Sequence, residues 1–120
     1  MKEFALLFRR DFETKTDQPS IEQLQESIKL WQNWIGGIAA RKKLVNKGNR
    51  LHPEGKVVRS NNIITDGPYA EIKESIGGFI VIRAIDFVEA EAIAKDCPVL
   101  LHPFNGSVEI RQIISAETNV

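Results

Sequence analysis

The chain has 120 residues, 42% hydrophobic and 27% charged, with 16 basic side chains against 16 acidic ones. That length suits one domain with one core, and the composition is that of a globular rather than a disordered protein. Zero net charge argues against a nucleic-acid binder that works through broad phosphate neutralisation.

No apolar run approaches the ~18 residues that crossing a bilayer takes, so no membrane association is expected. The N-terminus has no apolar stretch of signal-peptide length, and the one cysteine, Cys97, cannot form an internal disulfide. Both fit a reducing cytoplasm.

Residues 2–9 alternate, with Phe4, Leu6 and Phe8 on one side and Ala5 and Leu7 on the other. Apolar character on both sides predicts a central strand, ended by Arg9 and followed by a polar loop over 12–19. Ser20 with Gln23 forms a capping box opening a long helix that the spacing extends to about residue 44. Ile21, Leu24, Ile28, Trp31, Ile35 and Ile38 make one apolar stripe on it, with Leu30 and Trp34 beside the stripe. Gly36-Gly37 would weaken the helix, allow a kink or admit another backbone, and Gly48 is a plausible stop.

A short strand is expected over 49–52, then a hairpin pairing 56–59 with 62–65 around Ser60-Asn61, because asparagine tolerates positive φ. Asp66-Gly67-Pro68 breaks that pairing. The run 78–85 reads as a second strand with apolar residues on both faces. Asp86 with Glu89 opens a second helix reaching Cys97, with Ala90, Ile93, Ala94 and Cys97 on its buried side and Pro98 closing it. A last strand over 106–114 alternates Val108 and Ile110 with Glu109 and Arg111.

The order β-α-β, hairpin, β-α-β describes an α+β ferredoxin-like sandwich, two helices on one face of an antiparallel sheet. The other face has apolar residues and no helices to cover it. A second copy is the simplest cover, so a homodimer is expected.

The stretch Thr65-Asp66-Gly67-Pro68-Tyr69-Ala70-Glu71-Ile72-Lys73-Glu74, continuing to Gly77-Gly78-Phe79, resembles the YCII-related family and within it the DGPF-domain branch. Cys97-Pro98 and Gly106-Ser107-Val108-Glu109-Ile110-Arg111 are similar to that branch's C-terminal signature, with Tyr69 standing where the branch has phenylalanine. The resemblance implies a dimeric α+β barrel. Some YCII-type relatives carry a His-Asp pair proposed as an acid–base site, with its histidine in the first helix. Residues 20–44 contain no histidine, so that pair does not carry over. Relatives with the motif also occur beside or fused to sigma factors, which implies a link to transcription.

Candidate chemistry is sparse. Asp66, after a strand and before Gly67-Pro68, either exchanges a proton with a ligand or caps the turn. His52, in a basic stretch after a strand, is the better of the two histidines as an acid–base group; a metal site would need more ligands than His52 and His102 supply, so none is expected. Tyr69 and Lys73 follow the Gly-Pro corner and could hold a ligand or simply stay solvated. Arg9 and Arg111 end or interrupt apolar strands, where each could bind a carboxylate bidentately, while Arg111 could instead pair with Glu109 or a neighbouring strand on a solvated face. Trp34 is either core or one wall of a pocket. Cys97, at the expected C-terminus of the second helix, makes a poor nucleophile because the dipole there raises thiol pKa.

Seven basic residues (Arg41, Lys42, Lys43, Lys47, Arg50, Lys56 and Arg59) lie within 41–59 against Glu54 alone, whereas 66–96 is acidic. This asymmetry would steer an anion, dock an acidic partner, or neutralise itself within a dimer. The resulting expectation is a homodimer with a pocket for a small organic ligand, anionic or neutral, with no cofactor. Cofactor-free acid–base or lyase-type chemistry is the enzymatic form of that expectation. The alternative is a non-catalytic interaction module accessory to transcription.

Overall fold

The computed structural model describes residues 1–9, 20–67, 76–102 and 104–114. Strand β1 (Lys2–Arg9), helix α1 (Ile21–Ala40), β2 (Leu44–Arg50), β3 (Gly55–Arg59), β4 (Ile63–Gly67), β5 (Ile76–Ala84), α2 (Phe87–Ala94) and β6 (Ser107–Gln112) follow in that order. Four strands form one sheet in the order β2-β5-β1-β6, every pair antiparallel, while β3 and β4 pair separately as a hairpin. This is a ferredoxin-like α+β arrangement with a hairpin inserted between the second and third strands of the sheet.

Alternation along the two central strands decides the layers. Phe4, Leu6 and Phe8 of β1 and Ile80, Ile82 and Ala84 of β5 are buried in one cluster with Trp34 and Ile38 of α1 and Ala90, Ile93 and Ala94 of α2. Burying a side chain of this size stabilises the fold by about 1.5–3 kcal/mol relative to leaving it exposed. Two edge-on aromatic contacts place α1. Phe8 lies 4.9 Å from Trp31 and 5.9 Å from Trp34, centroid to centroid. The Trp34 indole N–H donates to the Ile93 carbonyl at 3.1 Å, which ties α1 to α2.

The helix departs from its expected form in three ways. It ends at Ala40, because Lys42 takes a left-handed φ of 59° and the Lys42 and Lys43 N–H groups turn back to Ala39 and Ile38. The chain then enters β2 at Leu44, earlier than the strand expected over 49–52. The expected stripe holds only in its second half: Ile38 is buried and Trp31 and Ile35 pack against the core, but Ile21, Leu24 and Ile28 are exposed, and Ser27 and Trp34 are buried instead. Trp34 is thus the centre of the helix's packed face rather than its flank. Finally, Gly36 and Gly37 sit inside unbroken helix, and an added Cβ at either would meet nothing within 4 Å.

Gly48 does not stop a helix. It sits in β2 at φ +61°, where a Cβ would lie 1.6 Å from the Phe79 carbonyl oxygen, and the β2–β5 register shifts around it. Glycine is needed there for both the backbone angle and the close approach. Helix α2 is capped as its sequence suggests at one end only. Asp86 accepts from the Glu89 N–H, but Glu89 reaches past its cap to the Ile85 N–H at 2.9 Å. The helix ends at Ala94, and Cys97 lies beyond it as the lead-in to a 3-10 turn over Pro98–Leu100. The loop expected over 12–19 lies outside the described residues.

Candidate ligand-binding site

Residues paired across neighbouring strands project to the same face, so the register assembles the sheet's second face from sequence-distant residues. One row runs Asn49, Phe79, Leu7 and Glu109 across β2, β5, β1 and β6; the next runs Asn46, Val81, Ala5 and Arg111. The four apolar residues in the middle are half-buried. Polar asparagines lie at one edge and a charged cluster at the other.

Glu109 is the hub of that cluster. It accepts from the Arg9 guanidinium through Oε1 at 3.1 Å and from the Arg111 guanidinium through Oε2 at 3.3 Å. The hydrogen bond from Arg111, then that from Arg9, holds its carboxyl below the usual glutamate range. Arg9 keeps 26% of its side-chain surface exposed and Arg111 71%. Two guanidinium groups and one carboxylate leave a net charge of +1 beside the apolar strip. Arg9 lies on that face because it alternates with Ala5 and Leu7 along β1, in unbroken register with β6.

A second grouping forms at the base of the β3–β4 hairpin. Its tip is Ser60–Asn62, with Asn61 and Asn62 both at positive φ, and the resulting register sets Lys56 opposite Asp66. The two side chains form an ion pair, with 68% and 89% of their surfaces exposed. His52, Glu54, Gly55 and Lys56 line an open depression of ≈ 420 Å³. The His52 Nδ1 accepts the Glu54 N–H at 3.0 Å. The proton of neutral His52 is therefore assigned to Nε2, and the ring would have to release Glu54 before acting as a base.

The expected site residues thus separate. Arg9 and Arg111 meet through Glu109, while His52 and Asp66 gather around Lys56. Trp34 belongs to the core on the helix-covered face, and Tyr69 and Lys73 lie outside the described residues. Among the described residues no group of three or more His, Cys, Asp or Glu is placed to hold a metal ion. Cys97 is buried, and burial pushes its thiol up to about 12. Desolvation is the cause, in place of the helix dipole expected from sequence.

The basic and acidic segments meet within one chain. Lys43 donates to Glu89 at 2.9 Å, Lys56 pairs with Asp66, and Arg41 donates to the Gly37 carbonyl of its own helix. Lys42, Lys47 and Arg50 stay exposed on or beside edge strand β2, where lysine and arginine discourage unwanted strand pairing.

The hub Glu109 and the hairpin partner Lys56 were not singled out from sequence as site residues. Lys56 was hidden by the expected register, which broke the pairing at Asp66-Gly67; the tip takes in Asn62 as well, so Asp66 and Gly67 stay paired, with Lys56 and Gly55. Glu109 was hidden because its approach to Arg9 depends on the β1–β6 register.

A two-layer α+β domain with a half-apolar open sheet face and a charged cluster at its edge is therefore the class of molecule on hand. The chain belongs to the family of YCII-related domains, whose model matches residues 22–117. No curated protein matches the chain significantly. Among the described residues no helix is long and apolar enough to cross a membrane.

Proposed function

We propose that the protein is a homodimer that closes the open face of its sheet against a second copy and holds a small organic ligand between them, in the manner of a dimeric α+β barrel of the DGPF branch. The observation that carries this reading is the contiguous strip of Ala5, Leu7, Phe79 and Val81 on a face that, among the described residues, no helix covers. Removing such a strip from water stabilises association by about 25 cal/mol per Å² of apolar surface, and a twofold axis covers both copies at once. Arg9 and Arg111 are the ligand-holding side chains, with Tyr69 and Lys73 of the Gly-Pro corner as further candidates. In the enzymatic form of this reading, His52 and Asp66 supply cofactor-free acid–base or lyase-type chemistry. The protein acts in the cytoplasm.

Sedimentation at micromolar concentration tests the dimer: a dimer is expected, with Leu7→Lys shifting it to monomer. A wild-type monomer would sink the reading. Asp66→Asn separates chemistry from structure, since loss of an exposed ion pair costs about 0–1 kcal/mol and leaves the fold intact.

The second reading is a docking module accessory to transcription, favoured by the exposure of Lys42, Lys47 and Arg50 along one edge. It requires partner binding that weakens with salt and with charge reversal at Lys42 and Lys43. Absence of any thermal shift across a panel of organic acids and their neutral analogues would favour it.

A further inference from the structure

The geometry points to an amphipathic monocarboxylate as the ligand class of the open face, lying across the strands with its apolar body on Phe79 and Leu7 and its carboxylate at Arg9 and Arg111. This rests on the enclosed-face reading above and adds the ligand's charge, length and orientation.

Charge comes first. The Arg9–Glu109–Arg111 cluster carries one positive charge more than it neutralises. Left in water, that excess costs nothing. Covered by a second sheet it becomes a desolvated cation, which proteins compensate with a counter-charge and hydrogen bonds. Each guanidinium has five N–H donors, and the contacts with Glu109 use one from each. One monoanion balances the charge, whereas a dianionic phosphate would overshoot it.

Length and orientation follow from the register. Phe79, Leu7 and Glu109 are successive members of one row on β5, β1 and β6. Neighbouring strands lie about 4.8 Å apart, so the apolar end and the charged end of the row are separated by about 10 Å. A body the length of octanoate or 3-phenylpropanoate spans that distance; acetate reaches the arginines and leaves the apolar strip bare.

The test is calorimetric titration of the wild-type protein with octanoate, 3-phenylpropanoate, 3-phenylpropanamide, acetate and inorganic phosphate, alongside sedimentation on the same samples. Octanoate and 3-phenylpropanoate should bind at least tenfold more tightly than the other three. Arg111→Gln, at a largely exposed position where folding is safe, should weaken the two carboxylates at least tenfold and leave the amide unchanged. Glu109→Gln should tighten them, because it removes the competing carboxylate; a purely structural Glu109 would give no such gain. An amide that binds as well as its acid, or phosphate that binds as well as octanoate, overturns the proposal. A dimer that binds none of the probes overturns the ligand class alone. A monomer that binds none overturns the enclosed face as well.

Discussion

The two faces of the sheet are built from the same strands and differ in almost every other respect. On the helix side, Phe4, Leu6, Ile82 and Ala84 are fully buried, and among the described residues the only buried polar one is Ser27 of α1. On the open side, Leu7 and Phe79 are half-buried and the row ends in an ion cluster. Because side chains alternate with period two, one strand contributes to both environments. The covered face is a stability device. The open face pairs apolar surface with charge, a combination that a core avoids and a binding surface uses.

Neighbouring leucines on β1 give the largest contrast. Leu6→Ala should cost about 2–5 kcal/mol, since it removes a fully buried side chain and leaves a cavity. Leu7→Ala should cost the isolated protomer below about 1 kcal/mol, as a partly exposed site does. Denaturant titration measures both. The proposed dimer would make the wild-type midpoint depend on concentration, and the Leu7 variant should lose that dependence. Equal losses at the two positions would mean that the faces are not distinct.

Alkali probes the covered face alone. Burial raises the Cys97 thiol from 9.0 to about 12, so the folded state holds this proton more tightly than the unfolded chain does. The stability this contributes is fully present below pH 9.0 and is lost as pH rises towards about 12. Within that window the slope is at most about 1.4 kcal/mol per pH unit. Cys97→Ala should flatten this slope whatever it does to the midpoint at neutral pH, and an unchanged slope would contradict the assignment.

Much of this architecture is legible in sequence, and the failures have physical causes. Strand alternation in residues 2–9 and the caps at Ser20 and Asp86 are local patterns, and each lies where its chemistry suggests. The roll of α1 is not local. Apolar residues recur every three or four positions on two overlapping stripes, and the packed face is the one through Trp34, whose indole N–H donates to the Ile93 carbonyl. That orientation buries Ser27 and exposes Ile28, the reverse of what hydrophobicity alone prefers. The end of α1 was hidden for another reason. Lysine at a left-handed C-terminal position is unusual, and the glycine expected to fill such a place, Gly48, serves β2 instead. Arg9 and Arg111 were legible as ion-pair candidates singly, whereas their shared partner required the register of the sheet.

A surface belonging to neither face supplies a control of moderate size. Gly36→Ala and Gly37→Ala lie on the exposed side of α1 with open space around each added methyl. Each should stabilise the protein by about 0.5–1 kcal/mol through the unfolded chain's lost freedom. Both variants should keep the wild-type oligomeric state and ligand affinity. A change in either would place a partner or ligand on the helix layer and not on the open sheet face.

Acid probes the open face, and its effect is the smallest. The Arg111 and Arg9 hydrogen bonds depress the Glu109 carboxyl, so its contribution is present above the ordinary glutamate range and lost as pH falls through the lowered folded value. Glu89, depressed by Lys43 and the Ile85 N–H, titrates in the same direction, so the acid limb has at least two sources. Glu109→Gln should therefore remove part of the acid sensitivity, and Glu89→Gln a separate part, read from melting temperature between neutral pH and pH 3. Solvent screens Glu109 in a free protomer, and a covering second copy would exclude that solvent. The Glu109 part of the limb should consequently be larger in the dimer than in a monomer made by Leu7→Ala, which brings no new charge beside Glu109, whereas the Glu89 part, set by contacts within one chain, should be the same in both. An equal Glu109 effect in the two forms would show that the cluster stays in water, and the open face would then have no enclosed ligand to hold.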